Sequence, residues 1–528
     1  MAFTVIQAGT SLQGLTTTGA LTTLTLPSGV TLNATLRPRF AIFNKYTVMV
    51  NSPSRPIIIS GDGVVRVLSP TPPQVILSLA GVAGGTLSGT YKARQTFIVF
   101  DTNGDIITQS DYGPVMTIPV TIAANYLQAQ GLDISTDAVS GSRLYRTATG
   151  GSVYFQWIDQ DGNTQTSGPI DALSDAGLGL VAGPILGAAP DLTLICEWRG
   201  RLWGVSRLEI DHLRYTETGL MYAWPILNDV VVPRLGADTR GVTGLVARRD
   251  ALGIGRRNSL HQMTGDSASS FRLVKISEAV GVESNESIVV YRDVAYWLWK
   301  DGVYQWDSNG VTCVSDGTAG RAMVRSWFTT DSYFNRARFQ YAFAQIDPVR
   351  NKYRLFLASA GSSVEDRWVE FDLNDRTWWG PHKTGAFSPT CTLIVPDAND
   401  TLVQMVGSSS AYLWKEQATR TDSTATAIDY DVDAKRHDAK TPDIEKNWLQ
   451  LSLLSKVQAA GSMSVTPYVG PLSAAAGTAI TADMTKGREK LPRLGAGKFC
   501  GLNFRHNTVA QDCELYGYEL PFYELGRR

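Results

Sequence analysis

The sequence predicts an all-β, multi-domain chain. Its centre is a discontinuous β-propeller of about six blades, interrupted by an immunoglobulin- or fibronectin-like β-sandwich and followed by a C-terminal β module. Three observations lead there. Helical periodicity is scarce, and most segments alternate apolar and polar residues before ending in a turn signal. Asp101-Thr102-Asn103-Gly104, Asp161-Gly162-Asn163, Asp301-Gly302 and Ser308-Asn309-Gly310 are such signals. The residue mix is that of short strands and tight turns, with 49 Gly, 13 Trp and 20 Tyr but only 18% charged residues. A degenerate unit also recurs: an apolar strand, a polar turn, a second apolar strand, a break, and a third strand ending in an aromatic or in Gly or Asp.

Six segments carry that unit. They run from Phe40 to Gly61, Leu194 to Glu217, Leu245 to Gly265, Ile288 to Asp307, Tyr341 to Ala360 with Arg367 to Gly380, and Thr392 to Lys415. From the second onward they recur at roughly 45–55 residues, the period of propeller blades. Each shows three strands, so a fourth is expected in the variable stretches between them. The first segment is separated from the rest by an insertion, and it reads as an N-terminal blade that completes the ring.

Pro70-Thr71-Pro72-Pro73 opens the insertion as a stiff linker, because proline fixes φ and blocks pairing. Beyond it lie a hairpin around Asn103-Gly104 and two more around Gly150-Gly151 and Asp161-Gly162, which predict a sandwich. Pro119 to Leu132 reads equally as strand or short helix, and Asp171 to Leu180 as a helical turn. The predicted organisation is 1–73 for N-terminal strands and first blade, 74–189 for the sandwich, 190–424 for the remaining blades, and 425–528 for a β module used in docking or oligomerisation.

A chain of 528 residues exceeds one ordinary core, so several domains are expected. Its net charge of -1 lacks the Lys/Arg excess of a nucleic-acid binder. Cys196, Cys313, Cys391, Cys500 and Cys513 are odd in number and widely spaced, which predicts free thiols rather than disulfides or zinc ligands. The N-terminal stretch lacks the basic and apolar regions of a signal peptide, and no apolar run is long enough to span a membrane.

Each candidate for chemistry has a plainer reading. His212, His261, His382, His437 and His506 show no metal-ligand spacing. Gly84 to Thr90 is glycine-rich but lacks the Gly-Lys-Ser/Thr end of a phosphate loop. Asp101 to Asp105 and Asp159 to Asn163 begin like calcium loops, yet Tyr112 and Ile170 stand where a glutamate is needed. Asp293, Asp301, Asp347, Asp372 and Asp375 are available as a glycosidase pair, but all sit in turn-like contexts that favour Asp for backbone bonding. Arg199/Arg201, Arg248-Arg249 and Arg256-Arg257 have acidic neighbours in sequence, so ion pairs at strand ends are the plainer reading. Trp297, Trp299, Tyr304, Trp306, Trp378 and Trp379 read as packing between blades before they read as a stacking platform. No catalytic, cofactor-binding or metal-ligating residue is assigned, no cofactor is expected, and the chain is read as a non-enzyme.

Six motifs in order resemble one family. They are RPRFAIFNKYTVMVN at Arg37 to Asn51, SGSRLYRTATGG at Ser140 to Gly151, CEWRGRLWG at Cys196 to Gly204, the string GVESNESIVVYRDVAYWLWKDGVYQWD from Gly281 to Asp307, NDRTWWGPH at Asn374 to His382, and the C-terminal ELYGYELPFYELGRR. Their order, over nearly the whole chain, is similar to that of the tail nozzle proteins of short-tailed bacteriophages, also called tail tubular or packaged-DNA stabilisation proteins. The resemblance implies a homo-hexameric ring in the virion tail, made in the host cytoplasm and seated below the head-to-tail adaptor, with tail fibres or spikes as further partners. It also implies a lumen through which double-stranded DNA passes without sequence-specific binding. Two other expectations stand beside it: a propeller glycosidase or depolymerase, and a host-receptor-binding adhesin of the virion.

Overall fold

The computed structural model describes residues 3–526 other than 17–19, 52–54, 102, 172, 183–185, 235–239, 318–323, 385–387, 397–398, 410–411, 416–420, 423–425, 428–429 and 509–512. Antiparallel sheets dominate, and the propeller emerges from them. Blade one comprises Arg39–Phe43, Tyr46–Val50, Ile57–Ile59 and Val65–Val67. Blade two comprises Leu192–Trp198, Arg201–Ser206, His212–Tyr215 and Asp229–Val231. Blade three comprises Val242–Ala247, Leu252–Arg256, Leu260–Thr264 and Arg272–Ser277. Blade four comprises Val289–Tyr291, Val294–Trp299, Gly302–Asp307 and Gly310–Cys313. Blade five comprises Phe343–Asp347, Lys352–Leu357, Arg367–Asp372 and Trp378–Lys383. The sixth sheet has Pro389–Pro396, Leu402–Ser408 and Leu413–Lys415, with no fourth strand among the described residues.

The first strands of successive blades are neighbours in space. Leu192–Trp198 packs against both Arg39–Phe43 and Val242–Ala247, which in turn packs on Val289–Tyr291, and that strand packs on Phe343–Asp347. This radial succession of inner strands defines a propeller. It also locates the fourth strands missing from the sequence pattern: they are the short, partly exposed outer strands.

Aromatic side chains join the blades. Trp203 stacks on Tyr215 with ring centroids 4.6 Å apart, and Phe271 of blade three meets it edge-on at 5.1 Å. The buried indoles then spend their N–H groups on backbone of a neighbouring segment, as a buried donor must. Trp198 Nε1 donates to the Arg248 carbonyl at 2.9 Å, Trp299 Nε1 to Arg257 at 2.8 Å, and Trp378 Nε1 to Val314 at 2.9 Å. The Tyr353 hydroxyl donates to Ser287 at 2.9 Å. Of the six aromatics singled out in the sequence, Trp297, Trp299, Tyr304 and Trp306 are buried, and Trp379 is largely exposed, at 56%.

The insertion is a sandwich of two sheets. One has the order Ile106–Gln109, Ala93–Phe100, Gly141–Thr147, Tyr154–Asp161; the other has Ser167–Asp171, Val120–Gln130, Ser78–Tyr91. Leu79, Tyr91, Leu127 and Ala129 of one sheet pack with Ala93, Leu144 and Trp157 of the other. Three expectations change here. Val120–Gln130 is a strand, because its alternating residues pair along Ser78–Tyr91. The helical turn expected over Asp171 to Leu180 is confined to a 3₁₀ turn at Asp175–Gly177. Asp161-Gly162 does not close a hairpin: the chain crosses to the opposite sheet, where Ser167–Asp171 pairs with Val120–Gln130. A turn dipeptide signals reversal but not the partner, and the Gly162 N–H donates instead to the Ser140 carbonyl at 2.8 Å. Val99 and Ile107 of the sandwich share a core with Phe43, Val48, Leu192 and Leu202, so the insertion is packed onto blades one and two.

A three-stranded N-terminal sheet, Phe3–Ala8, Ser11–Thr16 and Leu21–Leu24, covers the other side of blade one through Leu12, Leu24, Met49, Ile57 and Val67. The C-terminal module is a second sandwich. Tyr430–Asp433, Phe499–His506, Ser462–Gly470 and Ile480–Asp483 form one sheet; Arg488–Gly497, Glu445–Ser455 and Leu515–Glu519 form the other, and Phe522–Gly526 also pairs with Glu445–Ser455. Trp448, Leu451, Val465, Leu502 and Phe504 fill it. The chain forms two compact units, Met1–Ser363 with Glu370–Trp379 and Ile394–Leu402, and Val364–Val369 with Gly380–Leu393 and Val403–Arg528. Among the described residues no helix is long and apolar enough to cross a membrane.

Candidate functional site

Inner strands of a propeller all start at one end, so the residues that open them converge around the axis. Here most of them are polar. Arg39 opens blade one, and Thr193 stands second in blade two. Val242 and Thr243 open blade three, with Arg240 just before them. Glu283 to Glu286 lead into blade four through the 3₁₀ turn Asn285–Ser287, and Gln340 leads into blade five. Together they line a cavity of about 330 Å³ at the mouth of the axis.

Small hydroxyls and one amide fix the lining. Thr243 Oγ1 donates to the Val282 carbonyl at 2.7 Å, and Ser284 Oγ to the Ala342 carbonyl at 2.6 Å. Asn285 Oδ1 accepts from the Leu245 N–H at 3.1 Å. Arg39 reaches across the mouth, its Nε 2.5 Å from Glu286 Oε1, while its Nη1 donates to the Arg37 carbonyl at 2.7 Å. The Arg37 guanidinium lies 5.1 Å from the Phe343 ring centroid, on the inner strand of blade five. Glu283 is held by Arg257, with 3.3 Å between Oε1 and Nε. Burial pushes the Arg39 guanidinium below its ordinary proton affinity; Glu286 works against that, and neighbouring Arg37 adds to it.

The residues weighed in the sequence lie elsewhere, among the turns and seams. Asp293 sits in a left-handed turn and pairs with Arg248 at 3.1 Å. Asp301 pairs with Arg325 and accepts from the Tyr304 hydroxyl at 2.9 Å. Asp347 caps the N–H groups of Val349 and Arg350 at 3.0 Å, and Asp372 caps those of Asn374 and Asp375. None of these five acids lines the axial mouth. Asp101 accepts from the Asn103 and Asp105 N–H groups and from Lys45, and Asp159 is gripped by Arg143 through two bonds of 2.7 Å. Both calcium-like loops therefore spend their leading carboxylate internally.

The arginine pairs resolve into ion pairs across seams. Arg256 is fully buried and lies 2.5 Å from Asp211. Arg199 faces Asp250 and Asp266, and Arg248 covers the Trp306 ring at 4.5 Å. His212 pairs with Asp229 and His437 with the Tyr518 hydroxyl, while His261 and His506 are buried. All five cysteines are free, and burial raises the thiols of Cys196, Cys313, Cys500 and Cys513. Among the described residues no cluster of His, Cys, Asp or Glu is arranged to hold a metal ion. Sequence reading missed Arg37, Arg39, Glu283 and Glu286. Their signal was present as charged residues directly ahead of apolar strands, in RPRF and VESNES.

No protein-family model and no curated protein matches this chain. Similar solved structures include an exo-β-1,3-galactanase from Phanerochaete chrysosporium, at 10% identity over 64% of this chain and 97% of that one, with a TM-score of 0.24. YCF48 bound to D1 peptide matches at 9% identity over 67% and 99%, with a TM-score of 0.26. A Trypanosoma rangeli sialidase matches at 7% identity over 100% and 88%, with a TM-score of 0.25. Likeness at this level says nothing of function, and the propeller rests on the chain's own sheets.

Proposed function

We propose that the chain is a structural subunit of a short-tailed bacteriophage tail. In this reading several copies form the ring-shaped nozzle below the head-to-tail adaptor, which retains packaged DNA and gives it a way out. The observation that carries the reading is the ordered set of nozzle-like motifs spread over nearly the whole chain. Several of them fall on parts that build the scaffold. RPRFAIFNKYTVMVN spans the first two strands of blade one and the arginines that cross the axis; CEWRGRLWG makes the hairpin that starts blade two; the Gly281 to Asp307 string makes most of blade four. Asp293, Asp301, Asp347 and Asp372, the acids the sequence offered for a glycosidase pair, are engaged in turn caps and ion pairs.

In this reading the cargo passes through a lumen enclosed by several copies. The mouth of a single propeller, about 330 Å³ and crossed by Arg39 and Glu286, has no room for a duplex whose major groove alone is about 12 Å wide. A near-neutral chain suits passage, since a Lys/Arg-lined wall would grip phosphates strongly and in a salt-dependent way. The depolymerase reading makes a different forecast. Incubating the full chain with host capsular polysaccharide and assaying reducing ends separates them: the nozzle reading expects no release above buffer, and steady catalytic release sinks it.

A further inference from the structure

We infer that two uncharged strand edges of this chain pair with each other between copies. Leu21–Leu24 of one copy adds to residues 78–83 of the next, and so joins the N-terminal sheet of one to the inserted sandwich of its neighbour. The inference rests on the tail reading, in which copies meet in a ring, and it names the strands through which they meet.

The sequence marks both edges. Residues 1–36 contain no Asp, Glu, Lys, Arg or His, and neither do residues 67–91, in a chain that is 18% charged. An open edge is normally guarded by charge, by proline or by a covering segment, because its free N–H and C=O groups recruit other strands. The outer strands of blades one to three follow that rule, carrying Arg66, Asp229, and Arg272 with Lys275. In the C-terminal module one edge carries Asp431 and Asp433, and another Arg488, Lys490 and Pro492. The sandwich covers its own edge strand Tyr154–Asp161. The Gln156 N–H donates to the Leu180 carbonyl at 2.8 Å, and the Ala182 N–H to the Tyr154 carbonyl at 2.7 Å.

The two edges have no such guard. Leu21–Leu24 is the last strand of its sheet and pairs only with Ser11–Thr16 among the described residues. Leu21, Thr22 and Thr23 are all exposed on it. Ser78–Tyr91 is the last strand of the sandwich's three-stranded sheet, and its far end is blunted. Residues 84–88 bulge opposite two residues of Val120–Gln130, and Thr149 Oγ1 and the Gly150 N–H donate to the carbonyls of Ser88 and Thr90 at 3.3 and 2.9 Å. Residues 78–83 instead keep regular pairing with residues 125–130 on one side, and among the described residues they make no backbone hydrogen bond on the other. Leu24 and Leu79 anchor the two edges in separate cores, and the two strands do not pair within one chain.

The charge pattern favours a second copy as the occupant. An uncharged edge buries against an uncharged edge without stranding a carboxylate or an ammonium, and the cores of protein interfaces are depleted of charge. Every copy carries both edges, and they are unlike, so the pairing runs head to tail. A contact of that kind closes into a ring when each copy turns by the same amount. Pairing of one edge with itself would give a dimer and leave the other edge bare.

Hydrogen–deuterium exchange of the full chain tests this, comparing assembled rings with single copies separated by size. The backbone amides of residues 21–24 and 78–83 are expected to slow by about tenfold or more on assembly. Leu21→Lys with Ala83→Lys sets like charges on both edges and raises the concentration needed for assembly by about tenfold or more, with the melting of the single chain unchanged. Leu21→Lys with Ala83→Glu sets opposite charges there and recovers part of that loss. Exchange in the parent chain decides the matter even if a variant fails to fold. Rings in which both segments exchange as fast as in single copies overturn the inference and leave the tail reading standing, whereas a chain that forms no ring overturns both. Protection that appears only on adding the head-to-tail adaptor gives the edges to that partner and overturns pairing between copies, as does unchanged assembly of a natively melting double-lysine variant.

Discussion

His261 shows how a single residue records its surroundings. It is buried in the third strand of blade three, opposite Ile254 on one side and Lys275 on the other, and its Nδ1 lacks a hydrogen-bond partner. Burial pushes its imidazole below the ordinary value near 6.5, and the charges of Arg256 and Lys275 push it further. Arg256 is itself fully buried, lies against Asp211, and donates to the Arg240 carbonyl at 2.7 Å, so it cannot move away. The unfolded chain takes up a proton at His261 near pH 6.5, and the folded chain does so only at lower pH. The stability contributed by neutral His261 is therefore complete above about pH 6.5 and is lost as pH falls through the folded value. Thermal melting of His261→Leu against the parent at pH 7 and pH 5 checks this. The variant should lose less melting temperature between the two pH values, and an identical loss would remove His261 from the account.

At the scale of elements, the seam between blades three and four is a tight place to probe. Gly281 leads into blade four, and a Cβ there would stand 2.2 Å from the carbonyl oxygens of both Arg256 and Arg257. Its own carbonyl accepts the Trp297 indole N–H at 2.8 Å. Gly281→Ala should therefore cost about 2–3 kcal/mol through forced backbone displacement. Chemical denaturation followed by tryptophan fluorescence should show an earlier first transition, and an unchanged midpoint would mean that the seam yields freely.

The same elements show how far sequence carries. The aromatic second and third strands were legible because burial on both faces demands apolar residues and hairpin turns demand Gly, Asn or Asp. The outer strands Asp229–Val231 and Gly310–Cys313 were not, being short and half-exposed, with nothing to enforce a pattern. The sheet crossing after Asp161 was hidden for another reason, since turn chemistry carries no information about which strand comes next to which. The axial mouth was the least legible part. Arg39 and Glu286 meet because two blades face each other across the axis, and no local spacing relates positions 39 and 286.

At the scale of the whole molecule, the propeller spends aromatic residues on its seams, and the two β-sandwiches have aromatic cores of their own, built on Trp157 and on Trp448. The inserted sandwich is welded to blades one and two through Val99, Ile107, Phe43 and Leu202, and tied by Asp137, which takes two bonds from Arg55 and one from the Thr71 N–H. A bidentate arginine clamp of this kind holds orientation as well as distance. Rigid attachment suits a subunit whose neighbours must meet it at fixed angles, because closed rings form only when a repeated interface rotates by a constant amount. The central claim of the proposed function is one of assembly, that copies of this chain enclose a lumen. Cryo-electron microscopy of the purified full chain, alone and with the head-to-tail adaptor, tests it most directly. The account predicts a closed ring with cyclic symmetry around an opening wide enough for duplex DNA. A chain that stays monomeric in both samples, or closes into a dimer without a lumen, would contradict it.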